Sequence, residues 1–203
     1  MVRVDRGGRD FLGAVVDHLY DLGAGSIFSP ALFPSSTRLW RRAGFDDYAT
    51  LDVMERPLLG DVARTERIEV QTEPQPDWDR ILEVDREAFE GFWLMSRNGL
   101  VEAHDTNKTA VVLTAASEQR LFGYAIIGSQ WGTAYLHRIA VRPADSGQGV
   151  GTALLDEAIR WATHTGARSM VLNVRPENTR AKSVYRRAGF SDTGTALRVL
   201  RHG

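Results

Sequence analysis

The residues whose types and spacing speak most directly of chemistry are Ser146-Gly147-Gln148-Gly149-Val150-Gly151-Thr152. They follow an apolar run, Tyr135-Leu136-His137-Arg138-Ile139-Ala140-Val141, and Arg142-Pro143-Ala144-Asp145, and they open a helical pattern. Glycines let successive backbone N–H groups converge on one point, and a helix N-terminus favours negative charge. Strand, glycine turn and helix start therefore make an anion cradle. Two familiar phosphate patterns do not fit. A P-loop needs Gly-Lys-Ser/Thr, and the turn holds no lysine. A dinucleotide fingerprint needs glycine where Thr152 stands, and an acid at the end of the next strand, where Leu172-Asn173-Val174 offers none.

The elements that must position this turn can be read from periodicity. Downstream, Leu154, Leu155, Ala158, Ile159 and Ala162 follow helical spacing. Gly166 suits the left-handed position after a helix, and Met170, Leu172 and Val174 alternate as in a strand. A second helix carries Ala181, Val184, Tyr185 and Ala188 on one face; Gly189 ends it, and Ala196, Arg198 and Leu200 lie in a last strand. Upstream, 67–72 alternates like a strand until Pro74 and Pro76 break it. Asp77 caps a helix running through Phe89, and a short helix is expected over 98–104. Strands over 110–115, 121–129 and 134–141 are joined by turns short enough for antiparallel hairpins. The order β, α, α, β, β, β, α, β, α, β predicts an α/β (α+β) layer fold with a mixed central sheet and helices on both faces.

The chain also repeats itself. Arg41-Arg42-Ala43-Gly44-Phe45 recurs as Arg186-Arg187-Ala188-Gly189-Phe190, with Trp40 opposite Tyr185 and Asp47 opposite Asp192. Residues 9–58 thus read as a second copy of 152–200: helix, strand, helix, strand. The expected organisation is a half repeat over 1–60, a patternless linker over 59–66, and a main domain over 67–203.

The 203 residues include 25 basic and 26 acidic side chains, a formal net charge of −1, which leaves no footprint for general nucleic-acid binding. There is no cysteine, which excludes disulfides, thiolate metal sites and a covalent cysteine intermediate. No apolar stretch is long enough for a membrane span, and the N-terminus lacks a signal-peptide core. A cytoplasmic protein is expected, with neither metal nor membrane partner.

The glycine turn resembles that of the GCN5-related N-acetyltransferases. Their pattern, Arg/Gln-x-x-Gly-x-Gly/Ala after a strand, is matched from Gly147 to Gly151, with Ser146 in place of the usual Arg or Gln. Ile139-Ala140-Val141-Arg142-Pro143 is similar to the strand before that turn, and Asn178, Tyr185 and Gly189-Phe190 fall at family spacing. The resemblance covers about 67–203. It implies the GNAT fold and acetyl-CoA as co-substrate, bound by Ile139, Ala140, Val141, Ser146, Gly147, Gln148, Gly149, Val150, Gly151, Thr152, Asn178 and Tyr185. It further implies direct attack by an amine on the thioester. The N–H near Val141 stabilises the carbonyl oxygen, Tyr185 protonates the departing thiolate, and Asn178 contacts the pantetheine arm. Tyr185 also reads as a packed core aromatic, and Asn178 as a helix cap.

Ribosomal-protein alanine acetyltransferases, which the chain also resembles, carry a glutamate base where Asn173 stands. His137, placed by alternation on the face of Ile139 and Val141, is the alternative base; Glu177 and Glu102 are weaker candidates, and a packed histidine is the plain reading. Phe89, Phe92 and Trp93 are expected to line the acceptor groove, beside an acidic helix (Glu83, Asp85, Glu87, Glu90) that either attracts a cationic amine or is simply solvated. The half copy has Phe33 or a neighbour at the position of Asn178 and Trp40 at that of Tyr185, and its turn has shrunk to Arg6-Gly7-Gly8-Arg9. It resembles the degenerate copy of tandem members such as mycothiol synthase. It is expected to pack on the main domain or complete a sheet in a homodimer. The predicted function is acetyl transfer to a primary amine, on a peptide N-terminus or a small molecule; the alternative is a non-catalytic acyl-CoA-binding or scaffolding protein.

Overall fold

The structure, a computed structural model, describes residues 8–59, 68–118 and 120–203. The start of the shrunken turn and almost all of the expected linker fall outside them. In chain order the elements are α1 (Arg9–Asp21), β1 (Ile27–Phe28), α2 (Thr37–Arg42), β2 (Asp46–Pro57), β3 (Val70–Thr72), α3 (Trp78–Ala88) and α4 (Arg97–Asp105). Then come β4 (Thr109–Ala116), β5 (Leu121–Gln130), β6 (Thr133–Val141), α5 (Val150–His164), β7 (Ser169–Val174), α6 (Thr179–Arg187) and β8 (Ser191–His202). Contacts divide the chain into two compact units. The larger comprises Met54–Asn173 and Arg180–Ser191; the smaller takes Val174–Thr179 and Asp192–Gly203 with the chain up to Val53.

The larger unit carries a mixed sheet in the order β7-β6-β5-β4-β3. The β4–β5 and β5–β6 ladders are antiparallel, as their short connections require, and β3 pairs antiparallel with β4 across the two helices α3 and α4 that separate them in the chain. Trp131 and Gly132, with φ of 52° and 81°, make the two-residue turn between β5 and β6; two left-handed residues match the twist of a hairpin. By contrast β6 and β7 are parallel, so a crossover must join them, and α5 is that crossover. Successive strand residues point to opposite faces. Tyr124 lies in the core built from Ile81, Leu82, Val84 and Leu100 of α3 and α4. A Cβ on its neighbour Gly123 would instead meet Leu154 of α5 at 3.1 Å. Helices thus cover both faces. At the start of α3, Asp77 accepts from the amides of Asp79 and Arg80 as the capping pattern requires.

In the smaller unit, α1, β1, α2 and β8 close over Leu12, Val16, Ile27, Phe45 and Leu200. β1 pairs antiparallel with β8 through Ile27 and His202, and the Tyr20 hydroxyl donates to the His202 carbonyl at 2.9 Å. Among the described residues, no helix is long and apolar enough to cross a membrane.

Candidate active site

The glycine turn leaves β6 through a short 3-10 turn at Pro143–Asp145 and enters α5 at Val150. Gly147 and Gly149 take φ of 85° and 94°, a region that costs an L side chain about 1–2 kcal/mol. The two glycines therefore set the path of the turn. Gly149 is the N-cap of α5 and supplies no side-chain cap. The helix's own ladder starts with Ala153 donating to the Gly149 carbonyl at 2.9 Å, so the amides before it are spared for an acceptor from outside. Arg120 pairs with buried Asp145 at 3.1 Å and fixes the approach to the turn. Ser146, Gly147, Gln148, Gly149 and Thr152 are exposed, while Val150 is buried beneath them.

The Arg180 side chain lies against this turn, its guanidinium nitrogen 3.5 Å from where a Cβ on Gly147 would sit. Arg180 is exposed. Sequence spacing gave no sign of it, because it approaches from α6, more than thirty residues away.

The parallel ladder between β6 and β7 runs from Thr133↔Ser169 to Leu136↔Leu172 and ends there. β6 nevertheless continues to Val141 and stays paired with β5. Backbone groups on the β7 side of β6, over 137–141, thus leave the ladder just before the glycine turn. A bulge accompanies this point: Ile126 pairs with Arg138 and Ile127 with Leu136, so His137 is the extra residue.

That bulge corrects the placement of His137. Val141 packs beside Gly123 and Gly151 on the α5 side, and Ile139 shares its face. The His137 Nε2 instead meets the Asn107 side-chain oxygen in a short hydrogen bond. Asn107 lies over Gly128, where a Cβ would come within 2.6 Å of the Asn107 Cβ, and Gly128 shares the α3 face with Tyr124 and Ile126. Strict alternation put His137 with Ile139 and Val141; one inserted residue shifts the phase. The ring stacks on Tyr135 at 6.2 Å, and burial lowers its pKa.

The acidic helix is also not what its composition suggested. Asp85 is fully buried. It accepts from Arg138 at 2.7 and 2.8 Å, from the Met95 amide at 3.2 Å and from the Tyr124 hydroxyl. Burial and the Asp85 charge push the Tyr124 phenol far above its ordinary range. Glu87 and Glu83 pair with Arg142. Three of the four acids thus have arginine partners at or beyond the middle of β6, so this helix is neither a simply solvated face nor a free acidic one. Phe89 lies under the Arg138 guanidinium, 3.5 Å from ring centre to carbon. Phe92 and Trp93 meet edge to face at 5.0 Å.

Tyr185 is buried on α6, 6.0 Å from the Phe190 ring, and burial pushes its phenol up to about 12. Asn178 lies in the turn before α6, its amide on the Arg175 carbonyl at 3.0 Å. Asn173 is exposed. The described residues hold no cluster of three or more His, Asp or Glu fit for a metal.

Residues 78–190 match the Acetyltransferase (GNAT) family. The chain belongs to this family. It is similar to an uncharacterized N-acetyltransferase of Methanocaldococcus jannaschii, 29% identical over 57% of this chain and 73% of that protein. It is also similar to a putative ribosomal protein bS18-alanine N-acetyltransferase of Bacillus subtilis, 26% identical over 58% of this chain and 77% of that protein. Among solved structures, a GCN5-related N-acetyltransferase of Sphaerobacter thermophilus superposes with a TM-score of 0.67 at 19% identity, over 95% of this chain and 65% of that one. An N-acetyltransferase of Thermoplasma acidophilum in complex with coenzyme A superposes with a TM-score of 0.55 at 20% identity, over 67% of this chain and 98% of that one. The fold is thus the GNAT fold, and the chain is an acyltransferase of the acetyl-CoA-dependent GNAT kind.

Proposed function

We propose that this chain transfers an acetyl group from acetyl-CoA to a primary amine, on a peptide N-terminus or a small molecule, by direct attack within a ternary complex. The observation that carries the reading is the early end of the β6–β7 ladder immediately before a glycine turn at a helix N-terminus. Main-chain groups of Ile139 and Val141 suit the amides of the pantetheine arm, and the Val141 N–H suits the carbonyl oxygen that gains charge. The turn at 146–152 suits the pyrophosphate. Ser146 brings no charge to it, and Arg180 supplies the missing one from α6.

Tyr185 faces the departing thiolate as a donor. The Asn178 contact rests on family spacing alone. His137 takes the amine proton. Asn107 turns its amide nitrogen toward Gln130 at 3.4 Å and its oxygen toward His137, so the neutral ring donates from Nε2 and keeps Nδ1 as the basic atom. Its lowered pKa keeps the ring neutral at physiological pH.

Residues 9–58 read as a degenerate half copy with a structural role. In support, their order of helix, strand, helix and strand is that of 150–202. Gly23 and Gly44 take φ of 87° and 89°, beside 78° and 87° at Gly166 and Gly189. Trp40 pairs with Phe45 as Tyr185 does with Phe190.

Calorimetry tests the cofactor site. Gly149→Asp puts a side chain and a negative charge at φ 94°, and a folded variant should lose CoA binding. Unchanged affinity would overturn the reading. A protein that binds CoA, yet releases no thiol with any of a broad panel of amines, would fit the non-catalytic alternative.

A further inference from the structure

We infer that Asp85 and Arg138 form a buried clamp that fixes the loop over 89–95, and so act as positioning residues for the amine acceptor. The inference rests on the reading that this loop borders the acceptor, and its observations are separate from those of the cofactor turn.

Arg138 makes four contacts at once. Its guanidinium holds Asp85 in a two-pronged ion pair, donates to the Trp93 carbonyl at 2.7 Å and covers the Phe89 ring. Asp85 in turn takes the Met95 amide. One ion pair therefore grips the loop at its start, middle and end. It ties the loop to β6 at the residue next to the His137 bulge.

The loop needs such a grip, because its own backbone does little to hold it. It contains one 3-10 turn at Gly91–Trp93, and Gly91 adopts φ 57°. Leu94 is exposed. The pair is costly to bury, and removing either partner strands the other charge away from water. A helix-to-strand anchor alone would not require a planar fork that also reaches a carbonyl and a ring. That geometry makes the loop's shape, rather than α3, the thing that depends on arginine.

The same pair sets the character of the acceptor side. Arg138 neutralises Asp85, but Arg142 alone serves both Glu83 and Glu87, and Glu90 is exposed within the loop itself, so negative charge remains beside the acceptor side. The clamp itself acts on the shape of the Phe92–Trp93 platform, and the charge beside that platform is left to Glu83, Glu87 and Glu90.

The test uses the full chain and two variants. Arg138→Lys keeps a charge for Asp85 but loses the fork, the Trp93 bond and the stacking on Phe89. Asp85→Asn removes the counter-charge, and Arg138→Lys remains informative if that second variant unfolds. Hydrogen exchange followed by mass spectrometry reads the loop directly. Exchange over 91–95 should rise at least tenfold in Arg138→Lys, with β4 and β5 unchanged. Calorimetry with CoA should give an affinity within about twofold of the parent. Thiol release with an alanine-initiated peptide, or failing that with whichever small diamine turns over, should show KM for the amine up about tenfold and kcat changed far less. Unchanged exchange over 91–95 would overturn the clamp, as would equal shifts in KM for amine and acetyl-CoA. Failure of the parent itself to bind CoA would sink the proposed function instead, while the exchange result still judges the clamp.

Discussion

Tyr185→Phe is the sharpest probe of the chemistry, because it keeps the ring and its contact with Phe190 and removes one hydroxyl. Burial pushes that phenol up to about 12, with two consequences. It stays protonated over the whole range in which the enzyme can be assayed, so a donor is always present. Complete transfer of its proton to a thiolate, whose ordinary pKa is about 8.5, is uphill by about 5 kcal/mol at 1.36 kcal/mol per pH unit. Donation of a hydrogen bond to developing charge on sulfur is therefore favoured over full transfer. General acids contribute about 10²–10⁴-fold, and the expected loss in kcat lies at the lower end, about 10²-fold. KM for acetyl-CoA should hardly move, since the lost interaction strengthens in the transition state. Thermal stability should hardly change, because the buried ring and its packing on Phe190 are kept. The assay is thiol release at saturating amine across pH 6–10. A variant as fast as the parent makes Tyr185 a packing residue. An alkaline limb near pH 9 that vanishes in the variant would refute the argument from burial.

Other consequences can be checked alongside. His137→Gln should abolish an acid limb of kcat/KM lying below pH 6.5, whereas Asn107→Asp, by placing a negative charge beside the ring, should move that limb upward. Because the folded ring binds its proton less readily than the unfolded one, its contribution to stability is complete above pH 6.5 and falls away below it; paired thermal melts at pH 5 and 7.5 measure this. Arg180→Ala should weaken CoA binding by about three- to tenfold, as expected for one exposed charge-assisted contact, and adding Ser146→Arg should restore it; calorimetry decides both. Phe45→Ala should cost about 3 kcal/mol in denaturant unfolding, since Phe45 is 1% exposed, while Trp40→Phe should leave turnover intact.

The elements around the turn were legible because their signals are local. Gly147 and Gly149 announce left-handed backbone, Asp77 a cap, and Trp131-Gly132 a hairpin, each within a few residues. What escaped reading depends on partners distant in sequence. Asp85 sits in a run of acids that looks like a wet helix face, and Arg138 lies 53 residues further on. The signal available was Arg138 itself, a charge between Leu136 and Ile139 in an apolar strand. His137 was misplaced for a different reason. Alternation carries no mark of an inserted residue, and the bulge shows only in the register against Ile126 and Ile127. Asn107 was invisible because its fit depends on Gly128 lacking a side chain.

The early end of the ladder after Leu136 bears on how this protein can change over generations. A strand that offers its main chain to a ligand is recognised through groups every residue possesses, save proline. Ile139 and Val141 can then drift among apolar types with little effect on cofactor affinity, as long as they still fill the space over α5. Proline at either position would remove a donor and be purged. If the proposed function holds, variation should thus concentrate around Phe92, Trp93 and Leu94, on the proposed acceptor side, leaving a constant seat at the ladder's end on which new acceptor preferences can be tried cheaply.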